Sequence, residues 1–426
     1  MLATLGYNYS IDQSIKLFVR IVKAFKYRLK TNLILEAKLN RFCGASRFVW
    51  NKFLALNLTR LASGQKIFWY YEMSFWLTLY KTSEEYSFLK ECHSHILQQK
   101  LKDLDRAFKD CFDKKQPGKR MPCFRKRELH NSFRYPAGFK VEASRVFLPK
   151  IGWVNFFNSR KITGKPKNIT ISKAGKYWYV SIQTEQLVEQ IVHPIQNKIA
   201  IDLGIASFAS LSNGKQIDSH KAFSANARKL ASLQKRLAVK KRGSKNRHKA
   251  ITKITGLHQK IVNIRKDFLH KLSHDICKNH AHIIVEDLKI KNMSKSAKGD
   301  LTKPGRNVKA KAGLNRSILD QGWGEFKRQL SYKAFWFGGS LTEVDPKYTS
   351  QKCSSCNYID KANRKDQESF ACMVCGFKTD ADLNSAANDL DGRAGRISLW
   401  RKSVATFYEA GTSRRSDAPS PLSLIT

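Results

Sequence analysis

The sequence predicts an α+β protein of several domains, and three observations carry that reading. The chain has 426 residues, 42% of them hydrophobic and 11% aromatic, which is apolar material for about two to four cores. The spacing of its apolar residues changes along the chain. A helical period over residues 35–111 gives way to short runs broken by glycine and lysine over 130–190. Two short apolar strands, 198–202 and 283–286, each end in an acid and stand among long basic helices.

Residues 1–21 carry no clear period. In the segment 22–34, the alternation of basic and apolar residues in VKAFKYRL, Val22–Leu29, predicts a first strand. Residues 35–115 read as a helical lobe. Leu35, Leu39, Phe42, Val49 and Phe53 keep helical spacing, and Leu97, Leu101, Leu104, Phe108 and Cys111 step by four and three onto one stripe. Gln98, Lys102, Asp105 and Lys109 make the adjacent polar stripe. Two prolines and a glycine in QPGKRMPCFRKR, Gln116–Arg127, break the helix. Over 116–195 the runs Val146–Leu148, Trp153–Phe156, Asn168–Ile171 and Tyr177–Ile182 predict a small antiparallel barrel or sheet, with a hairpin at Ala174-Gly175-Lys176.

Lys198–Gly214, KIAIDLGIASFASLSNG, reads as strand, tight turn and strand. Arg228–Lys278 reads as two basic helices joined by the loop Lys240–Arg247, and Ile283–Val285 as a buried strand ending in Glu286-Asp287. The polar segment 291–316 reads as flexible. A helix resumes near Ser317, with Ser317 and Asp320 suggesting a capping box and Leu319, Trp323, Phe326, Leu330, Ala334 and Phe337 as its stripe. Leu341–Val344 is a strand, a cysteine module covers 346–380, a short helix covers 381–391, and 392–426 read as a disordered basic tail.

Lysine and arginine number 78 against 34 aspartates and glutamates, a formal charge of +44. Such a chain repels itself unless it meets a polyanion. Nucleic acid is the leading partner and an anionic membrane surface the alternative. No apolar run approaches the length of a spanning helix, and the first residues lack the pattern of a secretory signal.

Nine cysteines, an odd number, argue against a disulfide framework and fit a reducing cytoplasm. Four of them, Cys353-x-x-Cys356 and Cys372-x-x-Cys375, have zinc-ribbon spacing: each pair grips one ion from a single turn, and four thiolates close a tetrahedral shell. That leaves no open position, so the zinc is structural. An iron–sulfur site and unrelated free thiols are the alternatives. Cys43, Cys92, Cys111, Cys123 and Cys277 read as free thiols.

Asp202, Glu286 and Asp382 each stand at a strand or helix boundary. Carboxylates converging from three elements are what two Mg²⁺ ions require, with positions left for water and phosphate. Taken singly each has a plainer reading, a DLG turn or a solvated strand end. Basic stretches with interleaved aromatics, AFKYRLK and FRKRELHNSFRYP, point to phosphate contacts, with Phe133, Tyr135 and Trp178 as bases' stacking partners.

These motifs together resemble the transposon-encoded TnpB (OrfB) family of RNA-guided DNA endonucleases, relatives of the type V CRISPR effectors. AFKYRL and RFVWNKFL look like its opening strand and helix, and GKPKNITISKAGKYWYVSI like its wedge barrel. KIAIDLGI, IIVEDLKIKNM, GWGEFKRQLSYKA, VDPKYTSQKCSSC and DADLNSAAN look like its RuvC and ribbon motifs. Asn357 departs from the family's glycine and Ser385 from its alanine. Residues 1–21 precede the resembling part and read as a dispensable extension.

The resemblance implies an amino-terminal β-barrel (wedge) with an inserted, helix-turn-helix-like recognition lobe. It also implies a carboxy-terminal RNase H-like (RuvC) nuclease over 196–345 with a basic helical insertion at 225–280. Asp202, Glu286 and Asp382 would hold two Mg²⁺ (or Mn²⁺) ions, and the four cysteines one Zn²⁺. The implied partners are a guide RNA and a double-stranded DNA target, and no membrane, for a monomer bound to RNA in a prokaryotic cytoplasm near the nucleoid. Gln98, Gln99 and Lys102 are candidates for reading a transposon-adjacent motif, and Arg125, Arg134, Arg242 and Arg247 for nucleic-acid contacts. The competing functions are a conventional DNA transposase without a guide and a nuclease-inactive, RNA-guided DNA-binding repressor.

Overall fold

A computed structural model of the chain describes residues 18–127, 131–189, 191–300, 302–364, 366, 369–391 and 396–397. They fall into two compact units, Arg20–Leu187 and Val188 onward, the latter taking in also the two described residues before Arg20. The expected extension, up to residue 17, and most of the expected tail lie outside the described residues.

The first unit contains, in chain order, β1 (Phe18–Arg28), α1 (Leu33–Ala62), α2 (Tyr70–Thr82), α3 (Ser94–Phe112), β2 (Ser132–Tyr135), β3 (Lys140–Glu142), β4 (Arg145–Leu148), β5 (Gly152–Asn155), β6 (Lys165–Ala174) and β7 (Tyr177–Glu189). β1 starts four residues before the expected strand. Ile21 is buried with Val22, and Arg20 pairs with Glu185 of β7, so this end of the presumed extension is part of the sheet. Alternation then sorts β1 cleanly: Phe25, Tyr27 and Leu29 point inward, while Lys26 and Arg28 point out.

The strands form a sheet of order β1-β7-β6-β2 and a separate three-stranded meander β3-β4-β5. A closed barrel is not found among the described residues. The two sheets meet through an isolated bridge, Leu29 to Phe156, and the Lys30 N–H donating to the Asn155 carbonyl. The meander strands, three or four residues long, are too short to continue a ladder around a barrel. The expected hairpin is present, with Gly175 in the left-handed region between Ala174 and Tyr177.

Leu97, Leu101, Leu104 and Phe108 of α3 are buried as a stripe, facing a core shared with α1 and the sheets. α2 escaped the sequence reading because it shows no clean stripe: Met73 and Leu77 are buried but Tyr71 and Phe75 are exposed. Phe133, Tyr135 and Trp178 are core, not stacking platforms. Phe133 and Tyr135 sit in register with Ile171 and Ile169 of β6 on the buried face, and Trp178 shares that core.

The second unit follows with β8 (Lys198–Asp202), β9 (Ser207–Leu211), β10 (Gln216–Asp218), α4 (Ala227–Ala238), α5 (Lys245–Asn279), β11 (His282–Glu286), α6 (Ile290–Met293), α7 (Val308–Gln321), α8 (Trp323–Trp336), β12 (Ser340–Val344), β13 (Ser369–Ala371), β14 (Lys378–Asp380), α9 (Ala381–Asp391) and β15 (Arg396–Ile397). Its main sheet has the order β10-β9-β8-β11-β12-β15. β8, β9 and β10 form an antiparallel meander, and β11 runs parallel to both β8 and β12. Parallel neighbours need crossovers, supplied by α4–α5 between β8 and β11 and by α6–α8 between β11 and β12.

Two expectations fail in this unit. The segment 291–316 is not featureless, since α6 ends and α7 begins within it. The helix expected to start at Ser317 is two helices broken at Gly322, which takes φ 76° between α7 and α8. Ser317 is therefore inside α7, its hydroxyl bonded back to the Gly313 carbonyl. Asp320 accepts from the Phe223 N–H instead of capping. Among the described residues no helix is long and apolar enough to cross a membrane.

Candidate active site and metal centre

Asp202 and Glu286 are brought together by strand register. β8 and β11 are parallel with Ile201 opposite Val285. The next residue on each strand is the acid, so the two carboxylates lie side by side at the carboxyl ends of strands that are spaced about 4.8 Å apart. Ile199, Ile201, Ile283 and Val285 are fully buried below them and anchor both strands. Asp382 arrives from α9, which packs across β8, β9 and β11. Asp380 sets where that helix begins: its Oδ1 accepts from the N–H groups of Asp382 (2.9 Å) and Leu383 (3.1 Å).

Gly204 allows the close approach. A Cβ there would stand 2.9 Å from the Ser207 carbonyl oxygen and 3.4 Å from Asp382 Oδ2. The Asp-Leu-Gly turn thus keeps space where strand β8 meets the helix. Thr349 orients Glu286, its hydroxyl donating to Oε1 at 3.0 Å, and Ser385 of α9 donates to the Thr349 hydroxyl at 3.3 Å. The departure from alanine at 385 has therefore added a link to this chain of hydrogen bonds. Asp287 points elsewhere, paired with Lys289 and with Lys327 (3.1 Å).

A fourth acid, Asp389, belongs to the same neighbourhood and was missed by sequence reading. It is 1% exposed, and among the described residues neither carboxylate oxygen has a hydrogen-bond partner. Asp202 is pushed up to about 8 by burial, then by the charges of Glu286 and Asp382. Asp389 is likewise pushed up to about 8, by burial and then by Glu286 and Asp202. Burial raises Glu286 as well, against the lowering effect of the Thr349 bond. Arg364 is the nearby cation, 3.9 Å from Asp382 Oδ1.

Buried carboxylates that repel one another are costly unless a cation is shared. Hard oxygen donors of this kind suit Mg²⁺ or Mn²⁺, so the donor set fits such ions. Among the described residues the acids are set wider apart than the four thiolates, the one group whose ligand atoms all lie within 4.8 Å.

The cysteine module fits zinc closely. Cys353 and Cys375 sulfurs are 3.7 Å apart, and Cys356 and Cys372 sulfurs 3.5 Å. A tetrahedron with Zn–S near 2.3 Å has edges of about 3.8 Å. The two knuckles share one build. Asn357 and Gly376, at φ 64° and 72°, donate back to the Cys353 and Cys372 carbonyls. Asparagine meets the left-handed requirement in place of glycine. α9 ties the module to the acids: the Asn384 amide donates to the Lys352 carbonyl and accepts from the Ser354 N–H, while Asn388 donates to the Thr349 and Lys352 carbonyls.

The expected nucleic-acid contacts divide. Gln98 and Lys102 are exposed on α3, but Gln99 is buried and donates to Asp103, so it is withdrawn from any surface role. Arg125 stacks on Trp50 at 3.6 Å, with its backbone held by Asn51. Arg134 is half-buried on β2. Arg242 is exposed, whereas Arg247 donates to the Leu237 and Lys240 carbonyls and closes the turn between α4 and α5. Within the basic stretch AFKYRLK, Arg28 lies over the rings of Phe157 and Tyr177, and Lys26 over Tyr179.

Comparison with known proteins gives three family profiles. OrfB of IS605, described as "Probable transposase", matches residues 181–297. A Cas12f1-like TNB domain matches 323–388, and the helix-turn-helix domain of the same OrfB family matches 21–66. The Escherichia coli (strain K12) protein named "Putative RNA-guided DNA endonuclease InsQ" is 47% identical over 371 residues, covering 87% of this chain and 92% of that one. A Streptomyces pristinaespiralis protein with the same description is 30% identical over 381 residues, covering 87% and 89%. The fold is similar to Cas12f1 in a cryo-EM complex with sgRNA and target DNA, at 14% identity and a TM-score of 0.50, over 87% of this chain and 98% of that one.

Proposed function

Because the chain belongs to the OrfB (TnpB) family, we propose that it is an RNA-guided DNA endonuclease of an insertion sequence. It cleaves DNA beside a short transposon-adjacent motif and so supports maintenance of the element. The observation that carries the reaction is the register of parallel strands β8 and β11, Ile201 opposite Val285, which sets Asp202 beside Glu286 at their ends, with Asp382 brought in by α9. An antiparallel meander continued by two parallel strands supports an RNase H-like, RuvC-type nuclease for the second unit. In the first unit, the two sheets take the wedge role and the α1–α3 helices the recognition role.

Phosphodiester hydrolysis needs a water aligned with the scissile phosphorus and stabilisation of charge on the departing 3′ oxygen. Bound at the carboxylates, two divalent cations supply both. Asp202, Glu286 and Asp382 would hold them. The Thr349 hydroxyl fixes one Glu286 oxygen and leaves the other to bind. Ser385 holds Thr349 in turn. Arg364, beside Asp382, is placed to meet the negative charge of an incoming phosphate. The zinc ribbon, clamped to α9 by Asn384 and Asn388, keeps Asp382 in position.

Sequence choice is delegated to the guide. The protein holds the heteroduplex by its backbone through the basic excess of +44, in the cytoplasm at the nucleoid. The test is sequencing of the RNA that co-purifies with the expressed chain. One discrete RNA carrying a transposon-end sequence is expected, and cleavage should depend on it. Efficient DNA cleavage by RNA-free protein would contradict the guided reading.

A further inference from the structure

Helix α9 presents Asp382, Ser385 and Asp389 at positions i, i+3 and i+7, a single stripe on one face. The first is a member of the acidic trio and the second reaches Glu286 through Thr349. The third ends the stripe as the most enclosed acid of the group, 1% exposed with both oxygens lacking a donor among the described residues. A structural aspartate ordinarily finds a backbone or side-chain donor, as Asp380 at the start of α9 and Asp320 near the end of α7 do here. Asp389 instead feels the charges of Glu286 and Asp202 from the strand ends. An acid so placed is either kept neutral at a cost or compensated by something positive that binds there.

We propose that Asp389 is a fourth carboxylate of the divalent-cation site, binding the same ions as Asp202 and Glu286. This rests on the proposed nuclease site and extends it by a residue one heptad beyond Asp382. The helix supplies two ligands instead of one, so the angle of α9 against β8 and β11 governs metal binding as a unit. The ribbon clamp at Asn384 and Asn388 then acts on both.

The test is Mn²⁺ binding by the zinc-loaded, RNA-free full chain, read as free Mn²⁺ by electron paramagnetic resonance. Asp389→Asn keeps the shape and removes the charge, and Asp389→Leu replaces the acid with an apolar side chain that can pack in its place. Each should weaken the tightest Mn²⁺ site tenfold or more, a loss typical of altered metal shells. Each should also lose most of the rise in melting temperature that Mn²⁺ gives the wild type. Circular dichroism selects the folded variants, and either one suffices. Wild-type Mn²⁺ affinity in a folded Asp389 variant, with affinity lost in Asp202→Ala, would overturn the fourth ligand while leaving the site standing. Wild-type affinity in Asp202→Ala would instead bring down the site itself.

Discussion

Without Mg²⁺ the acidic cluster should make the protein less stable as pH rises, and the structure sets the window. Asp202 is held near 8 in the folded chain against 3.8 for a free aspartate. Between those values the folded state keeps a proton that the unfolded state has released, so stability falls as pH rises. The lowered histidines, such as His270 at about 4, act below their ordinary 6.5, and Lys333, at about 8, acts above that value. In the interval from pH 6.5 to 7.5 the histidines and Lys333 are therefore silent, and the zinc-bound thiols, whose contribution rises with pH, are common to wild type and variant, so the difference between the two chains isolates the acid. One pH unit there costs roughly 1.4 kcal/mol for each acid that stays protonated in the fold. For a unit of some 200 residues that is a fall of roughly 3–6 °C in melting temperature. The assay is thermal unfolding of the zinc-loaded chain at both pH values, for wild type and Asp202→Asn. The variant should lose Asp202's share of the slope, and adding Mg²⁺ should remove the acids' share from the wild type by replacing the proton with a cation. Equal slopes in wild type and variant would refute the reasoning.

Three further outcomes are expected. Cys375→Ser should drop zinc content and soluble yield, because a structural zinc site contributes about 10–16 kcal/mol near neutral pH; well-folded protein without zinc by elemental analysis would contradict this. Glu286→Ala should abolish cleavage while Asp287→Ala keeps most of it, since Asp287 is engaged by Lys289 and Lys327 away from the cluster; equal losses in a cleavage assay would count against the split. Affinity for nucleic acid should fall roughly a thousandfold or more between 50 and 200 mM salt if six or more phosphates are engaged; a flat salt titration by fluorescence anisotropy would exclude phosphate-dominated binding.

The parts of this protein most legible in sequence are those where chemistry forces residue type and spacing together. The cysteine pairs could be placed because tetrahedral geometry demands four ligands from two turns, and Asn357 because the knuckle needs a left-handed residue. Asp202 and Glu286 stood out as acids ending apolar strands, and register then set them side by side. Asp389 gave no such signal. An aspartate in a polar, alanine-rich helix looks solvated until the helix is docked, and its burial comes from tertiary packing alone.

The same limit explains the misread aromatics. Phe133, Tyr135 and Trp178 sit among arginines and lysines in sequence, but strand alternation turns them to the core and the cations outward. Gln99 failed for the helical counterpart of that reason, one position around from the exposed stripe. Gly322 ended a helix in the middle of a convincing apolar pattern, since a stripe can continue across a break when two helices share a core. β1 ran past its expected start because pairing with β7 extends it to Phe18.

The most direct test of the carboxylate assignment is cleavage by purified Asp202→Ala protein loaded with its guide RNA. Target binding should persist, because its energy lies in lysine and arginine contacts with phosphate, while cleavage in Mg²⁺ falls to background. An Asp202→Ala complex that cuts DNA at the wild-type rate would contradict the assignment.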